Sequence, residues 1–505
     1  MSSSRLQMSQ DAVVEWLCNP TTHEGTPVEH LETHISHVFL TGDTVYKMKR
    51  AVRLAFLDFS TLDLREAACH AEIAVNRRTA PDIYRDVIPV TCGEDGFALD
   101  GPGEPVEWLV RMWRFDDSKL FDRLAQRGEL TEGHLLGLAD AVSRLHISEP
   151  PVIPADGSES FAGTFHDLVQ NLRAQTVDTV LADAVDGWIQ TAEPAFKSLR
   201  DIVATRVAAG KMRHCHGDLH LRNICKIDGT VRLFDAIEFD IDMATSDILY
   251  DFAFALMDLV HRDLKTEAAL ALSRYLGATR DYAGLNVLPL FMSVRAAVRA
   301  LVALLSPAGR VEALDYLDLA SALLVPGPQP RLVAVGGRSG TGKTTAARRL
   351  CGACPGPFGA VTIRSDSTRK RLAGIEPEEK LTAAAYTETA SEAVYDRLFS
   401  DAREALDAGA CVILDATFLD DEARARAQRV AREAGVPFIG IWLTGDDALL
   451  AARIAGRGPD ASDADLAVLR RQRDPEALEG WRILDVGAAD FDDGLKLPAP
   501  VRDAG

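Results

Sequence analysis

His214-Cys215-His216-Gly217-Asp218-Leu219-His220-Leu221-Arg222-Asn223, followed by Val231-Arg232-Leu233-Phe234-Asp235, sets out an acid, an amide five residues on, and a second acid at the end of a short apolar strand. That set suits phosphoryl transfer. The transferred group is densely charged, so catalysis rests on positioning and on metal neutralisation. Carboxylate and amide oxygens are the donors that hard Mg²⁺ prefers. On this reading Asp218 orients and deprotonates an acceptor hydroxyl, while Asn223 and Asp235 hold Mg²⁺ against the phosphates of ATP. Two blander readings compete: a polar turn whose histidines satisfy core hydrogen bonds, and a zinc site built from His214, Cys215, His216 and His220. The second is disfavoured because adjacent side chains diverge too far to ligate one ion.

The string from His216 to Asn223, with Asp235 beyond it, resembles the catalytic loop of the aminoglycoside phosphotransferase and choline kinase family, relatives of the protein kinases. The resemblance implies an ATP site assembled from upstream residues. Lys47 resembles the strand lysine that contacts the α and β phosphates, with Lys49 as competitor on the same strand face. Its partner would be a helix glutamate, Glu72, with Glu66 second. The strand Glu107–Arg114 would lead into the hinge that meets adenine, which puts Met112 at the nucleotide. A glycine-rich phosphate loop is missing, and Glu32-Thr33-His34-Ile35-Ser36 stands in its place. Asp247 or Asp251 resembles the aspartate that steadies the catalytic loop. The segment from Glu32 to Arg114 resembles one bacterial branch of the family, marked by Glu-Thr-His-Ile-Ser and by Asn76-Arg-Arg-Thr-Ala-Pro81.

The rest of the first 325 residues reads as a kinase-like bilobal fold. Asp11 to Cys18 patterns as a short helix. His30–Leu40 and Thr44–Lys49 around Gly42-Asp43 pattern as a hairpin. Residues 84–115 alternate apolar and turn segments, and helical patterns run from Thr131 to His146, from Phe165 to Ala209, and on to about Leu324. Val325-Pro-Gly-Pro-Gln-Pro330 is a stiff proline-rich linker.

After the linker, the apolar run Leu332–Val335 enters Gly337-Arg-Ser339-Gly340-Thr341-Gly342-Lys343-Thr344-Thr345 and then a helical stretch. A strand, Gly-x-x-x-x-Gly-Lys-Thr and a helix in that order form a P-loop in its confirming context. The backbone amides make an anion nest at a helix N-terminus, Lys343 reaches the β and γ phosphates, and Thr344 ligates Mg²⁺. Ala360–Arg364 is a second strand, delivering Ser365-Asp366 and Arg369. Cys411–Asp415 is a third, ending in a second metal acid, Asp415. This region resembles the small P-loop kinases that include polynucleotide 5′-kinases, gluconate kinase and zeta toxins. The resemblance implies Asp366 as the acid that receives the acceptor hydroxyl, with Arg369 steadying substrate and phosphate. It also implies Arg453 and then Arg457 closing over the triphosphate. The tail past Gly480 is acidic and carries no motif.

Composition bounds these readings. A chain of 505 residues exceeds the ~250–300 residues of a single core. Its net charge of −20 argues against a nucleic-acid-coating surface. The charge is uneven, with 24 Lys+Arg against 28 Asp+Glu from Arg331 onward and 31 against 47 before it. Eight cysteines are scattered, Cys351-Gly-Ala-Cys354 alone being closely spaced, and no signal peptide or membrane span is evident. A cytoplasmic setting with reduced thiols follows.

The fold class expected is therefore two domains: an α+β protein-kinase-like bilobal domain over 1–325, with an N-lobe at about 30–114 and a helical C-lobe at about 115–325, then the linker 326–330, then an α/β P-loop kinase over 331–505 with a parallel sheet flanked by helices. The function expected is ATP-dependent (or GTP-dependent), Mg²⁺-dependent phosphorylation of small-molecule hydroxyls at two sites. A regulatory, nucleotide-sensing P-loop domain is a second reading. A nucleic-acid end kinase using Arg364, Arg369, Lys370 and Arg371 is a third, weakened by the lack of stacking aromatics in that stretch.

Overall fold

The computed structural model of the chain describes residues 10–54, 57–153, 160–176, 178–306, 308–456 and 462–498. By packing, the chain divides into two compact units. One comprises Met1–Leu130, Arg144–Pro154 and Gly210–Asp251; the other comprises Thr131–Ser143, Ala155–Ala209 and Phe252–Gly505.

In the first unit the strands are β1 (Val28–Glu32), β2 (Ser36–Thr41), β3 (Thr44–Lys49), β4 (Arg53–Leu54), β5 (Leu57–Asp58), β6 (Tyr84–Gly93), β7 (Gly96–Leu99) and β8 (Glu104–Trp113). Six of these form an antiparallel sheet in the order β1-β2-β3-β8-β6-β7, and β4 pairs with β5. The run His30–Leu40, read as one strand, is itself folded at 33–35 and supplies both β1 and β2. The hairpin about Gly42-Asp43 then joins β2 to β3.

Strand alternation sorts the two faces. Met48 and Leu109 pack with Val13 and Leu17 of helix Gln10–Cys18. Val45, Val110 and Met112 pack with Cys69 and Ile73 of helix Leu62–Asn76. Lys47 and Lys49 are in phase with Val45 and so meet that second helix. The helix begins at Thr61, whose hydroxyl accepts from the Leu64 amide. Its buried positions are Arg65, Ala68, Cys69, Glu72, Ile73 and Asn76, a face at helical spacing on which polar and apolar residues mix. Beyond the sheet lie two small ribbons, β9 (Met212–His214) against β12 (Thr245–Asp247) and β10 (Ile224–Ile227) against β11 (Thr230–Leu233), with the quoted loop strung between them.

In the second unit the expected helical stretch 165–209 is two helices, Ser160–Ala174 and Thr179–Ala208, the latter capped by Asp178 on the Leu181 amide at 2.9 Å. A buried relay ties three helices: Trp188 Nε1 donates to Ser293 Oγ (3.0 Å), which donates to the Ala320 carbonyl (2.7 Å). The remaining strands are β13 (Leu332–Gly337), β14 (Ala360–Arg364), β15 (Cys411–Asp415), β16 (Phe438–Thr444) and β17 (Trp481–Asp485). They form a parallel sheet in the order β14-β15-β13-β16-β17. Both β13 and β15 are buried along their length, which explains their unbroken apolar runs. The tail that carried no motif supplies β17, and Trp481 lies where a Cβ on Gly440 would fall 2.6 Å from its ring. Helix Lys265–Thr279 runs beside edge strand β14. Ser273 Oγ accepts from the Thr362 amide (2.9 Å), and Ala269 joins the core of the parallel sheet.

Candidate active sites

The first site belongs to the first unit. Gly217 holds φ +83°, and a Cβ there would meet Ile237 Cδ1 at 2.9 Å, so the turn before Asp218 requires glycine. Asp251, not Asp247, braces that turn. Its carboxylate accepts from the Gly217 amide (2.7 Å) and the His216 amide (3.2 Å), and His146 Nε2 lies 3.0 Å away. Asp247 instead accepts from the Leu249 amide at the start of the next helix. His216 Nε2 meets the Phe234 carbonyl at 3.0 Å, tying the loop to the strand that ends at Asp235. Asn223 Nδ2 donates to the Asp218 carboxylate (3.0 Å) and to its carbonyl (2.9 Å). The amide nitrogen thus fixes the orientation of the Asp218 carboxylate.

Lys47 Nζ lies 2.8 Å from Glu72 Oε1 and 2.5 Å from Asp235 Oδ1, so the strand lysine, the helix glutamate and the metal acid converge. Glu66 is not part of this set. Burial opposes the Lys47 charge, yet Asp235 and Glu72 hold its ammonium well above the usual value. Burial would also raise Glu72, but Lys47 and Lys49 hold its carboxyl down at about 2. Asp235 has φ +60° and is fixed there by its neighbours: Tyr84 Oη accepts from its amide (3.1 Å), and Asn76 Oδ1 accepts from the Ala236 amide (2.8 Å). Met112 is buried on the face that carries Lys47, paired across the sheet with Val45.

The Glu32–Ser36 turn joins β1 to β2. Thr33 Oγ1 takes the Ser36 amide (2.9 Å), the Ser36 carbonyl takes the Thr33 amide (2.9 Å), and Arg50 donates to the Thr33 carbonyl (2.8 Å). The histidine–cysteine quartet does not gather. Among the described residues the group with metal-ligand spacing is His146, Cys215 and Asp251, and there the carboxylate is already engaged by the loop amides.

The second site lies in a cavity of ≈ 1140 Å³ in the second unit, lined by Ser339–Thr345, Asp366, Arg369, Asp415, Thr417 and Arg453 among others. Thr344 Oγ1, in the first turn of helix Lys343–Cys351, donates to Asp415 Oδ2 (2.7 Å) at the end of β15, and Arg364 donates to Thr344 Oγ1 at 3.1 Å. A hydroxyl beside a carboxylate suits Mg²⁺. Gly342, at φ +84°, opens helix Lys343–Cys351 and presents its N-terminus to the cavity. Gly337 does not line the cavity; a Cβ there would lie 2.4 Å from the Leu443 carbonyl oxygen. Asp366 sits in the first turn of helix Ser365–Leu372, and burial raises its carboxyl against the pull of Arg364. Arg369 donates to the Ala385 carbonyl (2.7 Å) and stands over the Tyr386 ring. Arg453 reaches the Thr341 carbonyl at 3.4 Å. Arg457 lies outside the described residues.

Several contributors carry no sequence signal of their own. Arg338 inside the P-loop pairs with Asp447 (2.7 Å) and Asp474 (3.2 Å), and Gln472 Oε1 accepts from the Ser339 amide (2.7 Å). The basic stretch 364–371 is spent internally. Lys370 is buried on the Pro377 carbonyl and Asp463, and Arg371 pairs with Asp401. All eight cysteines are free thiols, and burial raises Cys351 to about 11. No helix among the described residues is long and apolar enough to cross a membrane.

Residues 63–288 match the Phosphotransferase enzyme family, and residues 332–475 match an AAA domain. Uncharacterised proteins of Mycobacterium bovis and Mycobacterium tuberculosis are each 30% identical over 484 residues, covering 93% of this chain and 94% of theirs. Among solved structures, a choline/ethanolamine kinase family protein from Mesorhizobium loti is similar at TM-score 0.40 and 15% identity, over 63% of this chain and 96% of that one. A gluconokinase from Sinorhizobium meliloti 1021 is similar at TM-score 0.24 and 21% identity, over 33% of this chain and 90% of that one.

Proposed function

The chain belongs to the family of the mycobacterial proteins it matches over nearly its whole length, an enzyme built of a phosphotransferase domain and a P-loop kinase domain, and we propose that both domains are active kinases, divided at the linker 326–330, each phosphorylating a hydroxyl of a small molecule. Sugars, aminoglycoside-like polyols and nucleoside-like compounds are the acceptor classes that fit this chemistry. The observation that carries the reading is the convergence of Lys47, Glu72 and Asp235, with Asn223 holding Asp218. The pairing of Thr344 with Asp415 in the cavity shared by Lys343 and Asp366 repeats that logic in the second domain.

In the first site Lys47 would hold the α and β phosphates while Glu72 keeps the ammonium aimed. Asp218, fixed by Asn223, would accept the proton of the attacking hydroxyl. Asn223 and Asp235 in the first site, and Thr344 and Asp415 in the second, would hold Mg²⁺, which would supply charge neutralisation at the phosphates. In the second site the amides from Ser339 to Thr345 and Lys343 would cradle the phosphates. Asp366 would take the acceptor proton, and Arg369 and Arg453 would stabilise charge at the phosphoryl group. A buried carboxyl with a raised pKa is the better proton acceptor. The internal engagement of Lys370 and Arg371 supports a small-molecule acceptor over a nucleic-acid strand.

The deciding experiment measures ATP turnover with Mg²⁺ over a panel of sugars, aminoglycosides, nucleosides and oligonucleotides, for the wild type, Asp218→Ala and Lys343→Ala. Two phosphorylation activities, each lost in a different variant, are the expected result. If Lys343→Ala changes only the rate of the Asp218-dependent reaction, the P-loop domain is a regulator and the bifunctional reading is wrong.

A further inference from the structure

Lys47 and Glu72 are not alone in their pocket. Lys49 Nζ lies 2.5 Å from Glu72 Oε2, an ionic contact to the oxygen that Lys47 does not use, and it also pairs with Glu238 Oε1. Lys49 and Glu72 are fully buried and Glu238 nearly so. Asp235, Lys47, Glu72, Lys49 and Glu238 therefore form one alternating chain of charge, acid–base–acid–base–acid, running from the metal acid into the interior. The strand face dictates its pattern, since residues 47 and 49 project to the same side of β3.

The far end of this chain is the segment that carries Asp235. Each residue from 235 to 239 is held by a different part of the first unit. The Asp235 amide is held by Tyr84, the Ala236 amide by Asn76, and the Ile237 amide by the His216 carbonyl at 3.0 Å. Glu238 is held by Lys49, and Phe239 packs in a cluster with Leu57 and Phe59. Phe59 also forms a wall of the Lys49 pocket, with Nζ 5.4 Å from its ring centroid. A buried charge is retained only when paired, and removing one partner leaves the other uncompensated. Glu72 needs one lysine for orientation of Lys47; the second lysine does something else.

Building on the reading of this site as a Mg²⁺-dependent ATP site, we propose that Lys49 and Glu238 are positioning residues. They lock the helix glutamate and the metal-acid segment together before nucleotide arrives, so that the metal site is assembled in the free protein. Lys49 fixes Glu72 from behind and leaves Lys47 free to turn towards phosphate. Glu238 draws the backbone three residues after Asp235 onto β3 and sets where that carboxylate points. Neither residue touches nucleotide. Their effect is on the metal-dependent part of ATP binding.

The test uses the full-length chain carrying Lys343→Ala, which silences the P-loop site, and titrates it with ATP by calorimetry in EDTA and in Mg²⁺. Glu238→Ala is expected to change the affinity in EDTA by less than threefold and to cut the gain conferred by Mg²⁺ at least tenfold. Lys49→Met alone leaves two buried carboxylates facing each other and is expected to lower the melting temperature. The double variant Lys49→Met/Glu238→Ala removes both charges, so its ligand-free melting temperature should return towards that of the parent while the Mg²⁺ gain stays lost. Recovery of both quantities in the double variant would overturn the proposal, because the pair would then be mere charge balance. A Mg²⁺ gain unchanged in Glu238→Ala would overturn it too. Absence of any Mg²⁺-dependent ATP binding in the parent would instead sink the reading of the site itself, and the proposal with it.

Discussion

Asp366 shows how a single side chain carries both function and cost. Burial raises its carboxyl, so the ionised form is disfavoured in the fold, and the fold gains stability as pH falls and the carboxyl takes up its proton. Asp366→Asn should therefore leave the melting temperature unchanged or higher, while turnover at the second site falls by about 10²–10⁴-fold, the usual worth of a general base. Calorimetry beside an ATP-consumption assay checks both. Glu72 has the opposite sign. Its carboxyl is depressed from 4.5 to about 2 by Lys47 and Lys49, so its contribution is whole above 4.5 and disappears as pH falls towards 2. The stability gap between wild type and Glu72→Gln should shrink over that window in denaturant titrations. Asp218, Asn223 and Asp235 stood out in the sequence because they sit in one string of fixed spacing, whereas Lys47 and Glu72 were named by resemblance, with Lys49 and Glu66 as competitors. Glu238, Asn76 and Tyr84 were not named at all. They act through long-range approach, and on helix Leu62–Asn76 the buried face mixes apolar and polar residues, so hydrophobic periodicity does not single out Asn76.

At the scale of elements, three strands of the parallel sheet, β13, β14 and β15, were readable to within two residues, the central pair because strands buried on both faces are unbroken apolar runs, while β16 went unread as a strand. β17 escaped notice: its strand, Trp481-Arg-Ile-Leu-Asp485, lies at a sheet edge, buries only Trp481 and has no motif to mark it. The turn at 33–35 was placed through the resemblance alone, since Thr33 makes the bend by side-chain hydrogen bonding rather than by a glycine that would mark it. Helix Lys265–Thr279 yields a sharp test. Ser273 Oγ is the acceptor for the Thr362 amide on the outer side of β14. Ser273→Ala strands that amide and should cost about 1–3 kcal/mol, read as a lower denaturant midpoint for the second unit with unchanged spectra. In the first unit Gly217→Ala meets both the positive φ and Ile237, and Asp218-dependent turnover should fall steeply while ATP binding in EDTA persists.

For the whole molecule, two nucleotide sites mean two linkage terms. Each bound nucleotide adds about 2.7 kcal/mol at a hundredfold excess over its Kd. Calorimetric scans with Mg²⁺ and ATP should show two stabilised transitions in the wild type and one in Lys343→Ala, the unshifted one belonging to the second unit. The two-domain class and the order of the domains were legible from a pair of motifs and a proline run. How the chain packs was not, since compactness follows contacts that no motif encodes: the stretch from Phe252 onward, helix Lys265–Thr279 included, is gathered into one unit with the parallel sheet. That placement has a hereditary consequence. A gene broken at the proline run would encode a nucleotide-binding half whose border strand β14 had lost its cover, a ready template for self-association. A separated half would need another element to guard that border in place of helix Lys265–Thr279.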